Sequence, residues 1–164
     1  ILLGNKSLRS TQSTIISMSM NITSPIFQNG EAIPKKYSCD GENINPELRI
    51  GGVPENAKSL ALIADDPDAP MGTFTHWLVW NIDPKTTVIG EGSVPSGGAQ
   101  GLNDRKREGY TGPCPPSGVH HYHFKLYALN ATLDLPQNVS KADLEAAINA
   151  HLVASAELVG LYAR

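Results

Sequence analysis

SLALIADDPDAPMGTFTHWLVWNI, residues 59–82, decides the fold. Ser59–Ala64 is a short, continuous apolar run. HWLVWNI, residues 76–82, is a second, with aromatic and branched side chains on both faces. Short apolar runs bounded by turn residues read as strands buried on both sides. Lys58 and Asn81 mark their polar ends. If the two runs pair as antiparallel neighbours, the end of the first and the start of the second lie on one rim. That places Asp66 near His76.

A third strand lies in GPCPPSGVHHYHFKLYAL, residues 112–129. Side chains alternate along a strand, so His120, Tyr122, Phe124, Leu126 and Ala128 share one face. His121, His123 and Lys125 share the other. The first face is apolar and points to the core, which puts His120 and Tyr122 where core meets rim. We expect this strand to run alongside 76–82 in the same direction, so that Asp66, His76 and His120 converge.

Residues 84–118 show no convincing element except Thr87–Ile89, and long irregular segments in compact domains are usually functional. Further on, Ser140 can cap a helix over 141–150, with Asp143 three residues later. Leu144, Ala147, Ile148 and Leu152 fall on one face of it. The tail ASAELVGLYA alternates and reads as a last strand, with Ala156, Leu158, Gly160 and Tyr162 on one side. The class is mainly β, with one or two small peripheral helices.

A chain of 164 residues that is 40% apolar fits one globular domain. No apolar run approaches the roughly 20 residues of a membrane helix. With 16 acidic and 13 basic residues the net charge is −3, which gives no reason to expect nucleic acid. Arg105-Lys106-Arg107, bracketed by Asp104 and Glu108, reads as a solvated loop. Cys39 and Cys114 could form one disulfide, but they are no framework, and they read as reduced. Residues 1–17 open on Ile, are polar and lack the apolar core of a signal peptide. Residues 1–19 are expected to be a flexible N-terminal extension, the alternative being the stub of a processed leader, and residues 20–164 the domain.

Asp65-Asp66-Pro67-Asp68-Ala69-Pro70 holds three carboxylates in four residues, yet the EF-hand pattern fails: Pro70 stands where an oxygen ligand belongs and Met71 where Gly belongs. The stretch is either an acidic turn or a rigid loop fixing one carboxylate at the sheet edge. His121 and His123, at i and i+2, could chelate a metal only with further ligands; exposed or edge-bonded histidines are the plainer reading. Two histidines, a tyrosine hydroxyl and a carboxylate suit a small anion with a polar head. A hydrolase elbow is absent around Ser96, no phosphate-cradling glycine loop surrounds Gly97-Gly98, and Cys114 with His120 is only a candidate Cys–His pair.

DPDAP at 66–70, HWLVWNI at 76–82, GPCPPSGVHHYHF at 112–124 and AELVGLYA at 156–163 together resemble the phosphatidylethanolamine-binding protein family, in particular its bacterial and archaeal Raf-kinase-inhibitor-like branch. KYSCDGENINPEL (36–48) and VPENAKSLALIADDPDAP (53–70) are similar to it as well. The resemblance covers about residues 20–164. It implies two packed antiparallel sheets with Greek-key connections, and a pocket at one sheet end for phosphate-like anions. The pocket residues it implies are Asp66, Pro70, His76, Gly112, Pro115, Pro116, His120 and Tyr122, with no catalytic residue, metal or cofactor. It also implies a cis Ala69–Pro70 bond. The family's usual His-Arg-Tyr is here His-His-Tyr, which points to a lost salt bridge at His121 on the far face. The shielding C-terminal segment of animal members has no counterpart after Arg164, so a more open pocket is expected.

The implied function is non-enzymatic binding or regulation: a pocket for phosphate, phosphorylated groups or phospholipid head groups such as phosphoethanolamine, in an inhibitor of a protein kinase or serine protease. A homodimer and a cytoplasmic location are expected, with a periplasmic or secreted one as the alternative. The competing reading is a hydrolase of esters or phosphoesters using His76 and His120.

Overall fold

A computed structural model describes residues 19–164; of the extension expected over 1–19, all but Ser19 lies outside the described residues. The SLALIADD and FTHWLVWNI segments form strands β3 (Ser59–Asp66) and β4 (Phe74–Ile82), paired antiparallel across the DPDAP turn. Every residue of β3 is buried. It has a layer on each face. Leu60, Leu62 and Ala64 point into one apolar cluster, and Ala61 and Ile63 point into a second.

The remaining elements complete two sheets. Strands β1 (Asn21–Thr23), β2 (Leu48–Gly51) and β5 (Val88–Ile89) form a three-stranded sheet. In the five-stranded sheet, β6 (Ala99–Gln100), β4, β3, β7 (Val119–Leu129) and β8 (Leu152–Ala163) lie in that order, all antiparallel. The first cluster is the core between the sheets. The second lies under helix α1 (Lys141–His151), which buries Leu144 and Ile148. Ser140 caps this helix, its hydroxyl accepting from the Asp143 N–H at 3.0 Å. The architecture is mainly β, as expected, with α1 and a short 3-10 turn at Lys35–Tyr37 as its helical elements among the described residues.

Four expectations are corrected. The strand starting near His120 runs in the direction of β4 but does not pair with it, because β3 lies between them. Cys39 and Cys114 are joined in a disulfide across 75 residues, with Cα atoms 5.4 Å apart. The Cys39 N–H also donates to the Pro113 carbonyl, so the backbones already meet there, a proximity that spacing along the chain does not reveal. No peptide bond is cis among the described residues. The Ala69–Pro70 turn closes instead through the Gly72 N–H on the Ala69 carbonyl, with Gly72 at φ 102°. Finally, His121 does not leave its face without a partner: its ring and backbone N–H both meet Asp68, at 2.7 and 2.8 Å.

Candidate ligand pocket

Sheet register assembles the pocket from three strands. β3 pairs with β7 up to Asp65–His123. One step further along the same register sets Tyr122 opposite Asp66, with His120 as its diagonal neighbour on the same face. The His120 Nδ1–H donates to Asp66 Oδ2 at 2.6 Å, and both side chains are buried. Asp66 Oδ1 accepts from the Asp68 N–H at 2.8 Å, so each carboxylate oxygen is held.

His76 reaches the pocket through a bulge. The β3–β4 register shifts between Ala64 and Asp65, which inserts one extra residue in β4 between Thr75 and Trp77. Bulges re-aim side chains, and the extra residue is His76. Its ring sits edge-on to Tyr122, with centroids 5.2 Å apart, and 4.8 Å from Phe74. Its Nδ1–H donates to the Thr111 carbonyl at 2.7 Å. A carbonyl and a carboxylate only accept, so both Nδ1 atoms carry the proton. Neither Nε2 atom has a partner within the described residues. Burial holds the His76 ring below the usual histidine range, against the opposing pull of the Thr111 carbonyl and Asp66.

Tyr122 is buried, and its hydroxyl makes no well-aligned hydrogen bond among the described residues, although the Cys114 backbone lies close to it. Burial, with Asp66 nearby, pushes that hydroxyl's pKa up, so it is a proton donor at any ordinary pH. These groups surround an open cavity of about 130 Å³. Pro70, Pro115 and Pro116 line it, as do Ala69, Phe74, Cys114 and Arg105. Prolines give the wall no N–H donors of its own. Cys114 ties that wall to Cys39.

Gly112 lies outside the lining. Its N–H donates to Asn43 Oδ1 at 2.7 Å, and its Cα packs on the Tyr37 backbone, so it anchors the base of the wall. Arg105 is solvent-exposed, as the charged loop predicts, and it also borders the cavity. The available signal was chemical: an anion pocket needs a fixed cation, and Arg105 and Arg107 are the only arginines in the long segment 84–118. His121 and His123 face away and take separate carboxylates, Asp68 and Glu157. The His121 hydrogen bonds hold the Asp68 carboxyl below its usual range. No cluster of three or more metal-ligating side chains occurs among the described residues.

A two-sheet antiparallel fold with a His- and Asp-lined cavity at one sheet end is the class defined by these observations. The sequence profile described as phosphatidylethanolamine-binding protein matches residues 23–163, and the chain belongs to that family. It is 53% identical over 155 residues to a UPF0098 protein of Pyrococcus horikoshii, covering 90% of this chain and 78% of that one. It is 51% identical over 150 residues to a UPF0098 protein of Methanothermobacter thermautotrophicus, covering 88% of this chain and 99% of that one. Among solved structures, a Chlamydia trachomatis protein described as a candidate family homologue superimposes with a TM-score of 0.85 at 42% identity, over 89% of this chain and 98% of that one. Escherichia coli YbcL, described as a new member of the mammalian family, gives 0.84 at 34% identity, over 90% and 99%.

Proposed function

We propose that this is a binding protein rather than an enzyme, and that its cavity takes a phosphate-like anion, free or carried on a phosphorylated group or lipid head group. The supporting observation is the set of unsatisfied polar atoms turned to one small space. Among the described residues the buried Tyr122 hydroxyl makes no hydrogen bond, and neither histidine's Nε2, in rings that line the cavity, makes one either. Buried polar atoms ordinarily find partners, and a tetrahedral oxyanion with a bound proton matches this mix of donor and acceptor. Inhibition of a kinase or serine protease would use the same cavity. The hydrolase alternative is weakened because Cys114, its candidate nucleophile, is held in the disulfide. That disulfide also favours the periplasmic or secreted location over the cytoplasmic one.

Isothermal calorimetry with inorganic phosphate and phosphoethanolamine tests the site. His120→Ala removes an imidazole that lines the cavity, and Asp66→Ala removes the carboxylate that fixes that ring's tautomer and orientation, so each is expected to weaken binding by about tenfold or more. Unchanged affinity in both variants would reject the assignment.

A further inference from the structure

Two of the cavity's lining residues set its charge. Asp66 is the only carboxylate in the lining, and Arg105 the only lysine or arginine. An ionised Asp66 repels an oxyanion, and the two hydrogen bonds it accepts spread that charge without cancelling it. His76, held below the usual histidine range by burial, supplies no dependable compensation. The permanent cation that offsets Asp66 is therefore Arg105.

The loop bearing Arg105 is fixed to the pocket strand. The Asp104 N–H donates to the Thr75 carbonyl at 3.0 Å, and the Thr75 N–H returns to the Asp104 carboxylate at 2.7 Å. The Arg105 N–H donates to Asn103 Oδ1 at 2.9 Å, and Lys106 turns the chain at φ 61°. The backbone is thus anchored beside His76, while the guanidinium forms no ion pair or hydrogen bond among the described residues. Asp104 and Glu108 bracket it in sequence but do not neutralise it in space: the Asp104 carboxylate bonds the Thr75 N–H, and Glu108 forms no ion pair with it.

Resting on the reading of the cavity as an anion site, we infer that Arg105 makes it selective for phosphomonoesters over phosphodiesters. A guanidinium presents a planar fork of N–H groups that matches two oxygens of one phosphate. Tyr122 and the histidines, on the inner side, need at least one oxygen as well. A monoester has three terminal oxygens: one can face Tyr122 while two meet the fork. A diester has two, so one of these contacts is lost, and it has no proton to offer the histidine Nε2 atoms.

Calorimetry on the full chain distinguishes the possibilities with O-phosphoethanolamine, glycerophosphoethanolamine and inorganic phosphate; the first two share the ammonium and differ in ester number. Wild-type protein is expected to bind the monoester about tenfold or more tightly than the diester, the difference one charge-assisted hydrogen bond confers. Arg105→Gln is expected to weaken monoester binding by about tenfold and reduce the preference to less than about threefold, with Arg105→Lys intermediate. Arg105 is solvent-exposed, so an unchanged thermal midpoint will show that the variant folds. If inorganic phosphate binds like the monoester, the ester arm adds nothing; if it binds far more weakly, the arm contributes, and Arg105→Gln must weaken both. A wild-type preference that survives Arg105→Gln, or no preference at all, overturns the role of Arg105 while the anion site stands. Failure of all three probes to bind overturns both.

Discussion

Reducing the Cys39–Cys114 bond should loosen both the fold and the pocket wall. The bond closes a loop of 75 residues. Chain-entropy arithmetic for a loop that long gives about 4.5 kcal/mol of stabilisation, by restricting the unfolded chain. In a domain of this size, ~1 kcal/mol moves the thermal midpoint by about 2–4 °C, so the expected fall is roughly 9–18 °C. The wall has little else to hold it: between Pro113 and Gly118 the Pro113 carbonyl accepts from Cys39, and two of the next three residues are prolines without N–H groups. Scanning calorimetry with and without a phosphine reductant, alongside titration of free thiols, measures the effect. Cys39→Ser/Cys114→Ser should match the reduced protein, and both should bind phosphate more weakly than the oxidised form. Two free thiols before reduction would refute the bond itself. A shift under about 3 °C on complete reduction would refute the entropic account.

Gly112→Ala puts a Cβ onto the Tyr37 carbonyl oxygen and within 2.8 Å of Asn43 Oδ1, and should cost about 1–3 kcal/mol or more in denaturant unfolding while weakening phosphate binding. At Gly160 an added Cβ would meet Ile33 Cδ1 at 2.6 Å and Phe27 Cε2 at 2.8 Å, so Gly160→Ala should destabilise without altering affinity for the pocket probes. Asp65→Ala strips the partner from Lys125 and Lys141, at 3.2 and 2.8 Å, and should cost about 1–3 kcal/mol, leaving phosphate affinity within about twofold. Because burial lowers the His76 pKa from 6.5, the unfolded chain binds that proton before the native one does: stability is full above about pH 6.5 and is lost as pH falls from there toward the folded value. Urea midpoints between pH 7.5 and 5 should fall less steeply in His76→Gln than in wild type, and equal slopes would sink this attribution.

Four strands of the five-stranded sheet were legible because burial leaves a strong pattern; β6, only two residues long, was not. SLALIADD and HWLVWNI are apolar on both faces because one face meets the other sheet and the second meets α1. The alternation of His120, Tyr122, Phe124, Leu126 and Ala128 survives intact in the burial of β7. The three-stranded sheet left little trace beyond Thr87–Ile89, where β5 forms. Asn21–Thr23 and Val88–Ile89 are too short for a period to show, and Leu48–Gly51 alternates over only four residues. The site was legible from the residues themselves where a strand positions its side chains, while among the loop residues Pro70, Pro115 and Pro116 came through the family resemblance. Asp66, His120 and Tyr122 follow from alternation; Arg105 and the cysteine pair depend on folded loops whose ends meet through backbone bonds, at Thr75–Asp104 and Cys39–Pro113.

His76 shows why the rim, rather than the strand interior, carries the chemistry. Strict alternation from Leu78 and Trp80 would turn His76 toward the helix layer, on the side where Asp65 meets Lys125 and Lys141. The one-residue bulge opposite the Ala64–Asp65 step reverses that assignment and moves it to the face of Asp66. The adjacent carboxylates of the Asp-Asp doublet therefore serve different layers. Asp65 is nearly enclosed, with 1% of its side chain exposed, and two ammonium groups neutralise it. Asp66 has no lysine and takes a histidine ring and one N–H instead. A carboxylate neutralised by two lysines is a structural ion cluster with nothing left to offer a ligand. A carboxylate whose partner is an imidazole leaves that ring's second nitrogen open, and the bulge places another such ring beside it. Closing the bulge by deleting His76 would restore simple alternation while removing one of the two imidazoles, so the fold tolerates an irregularity in β4 at the place where the cavity needs it.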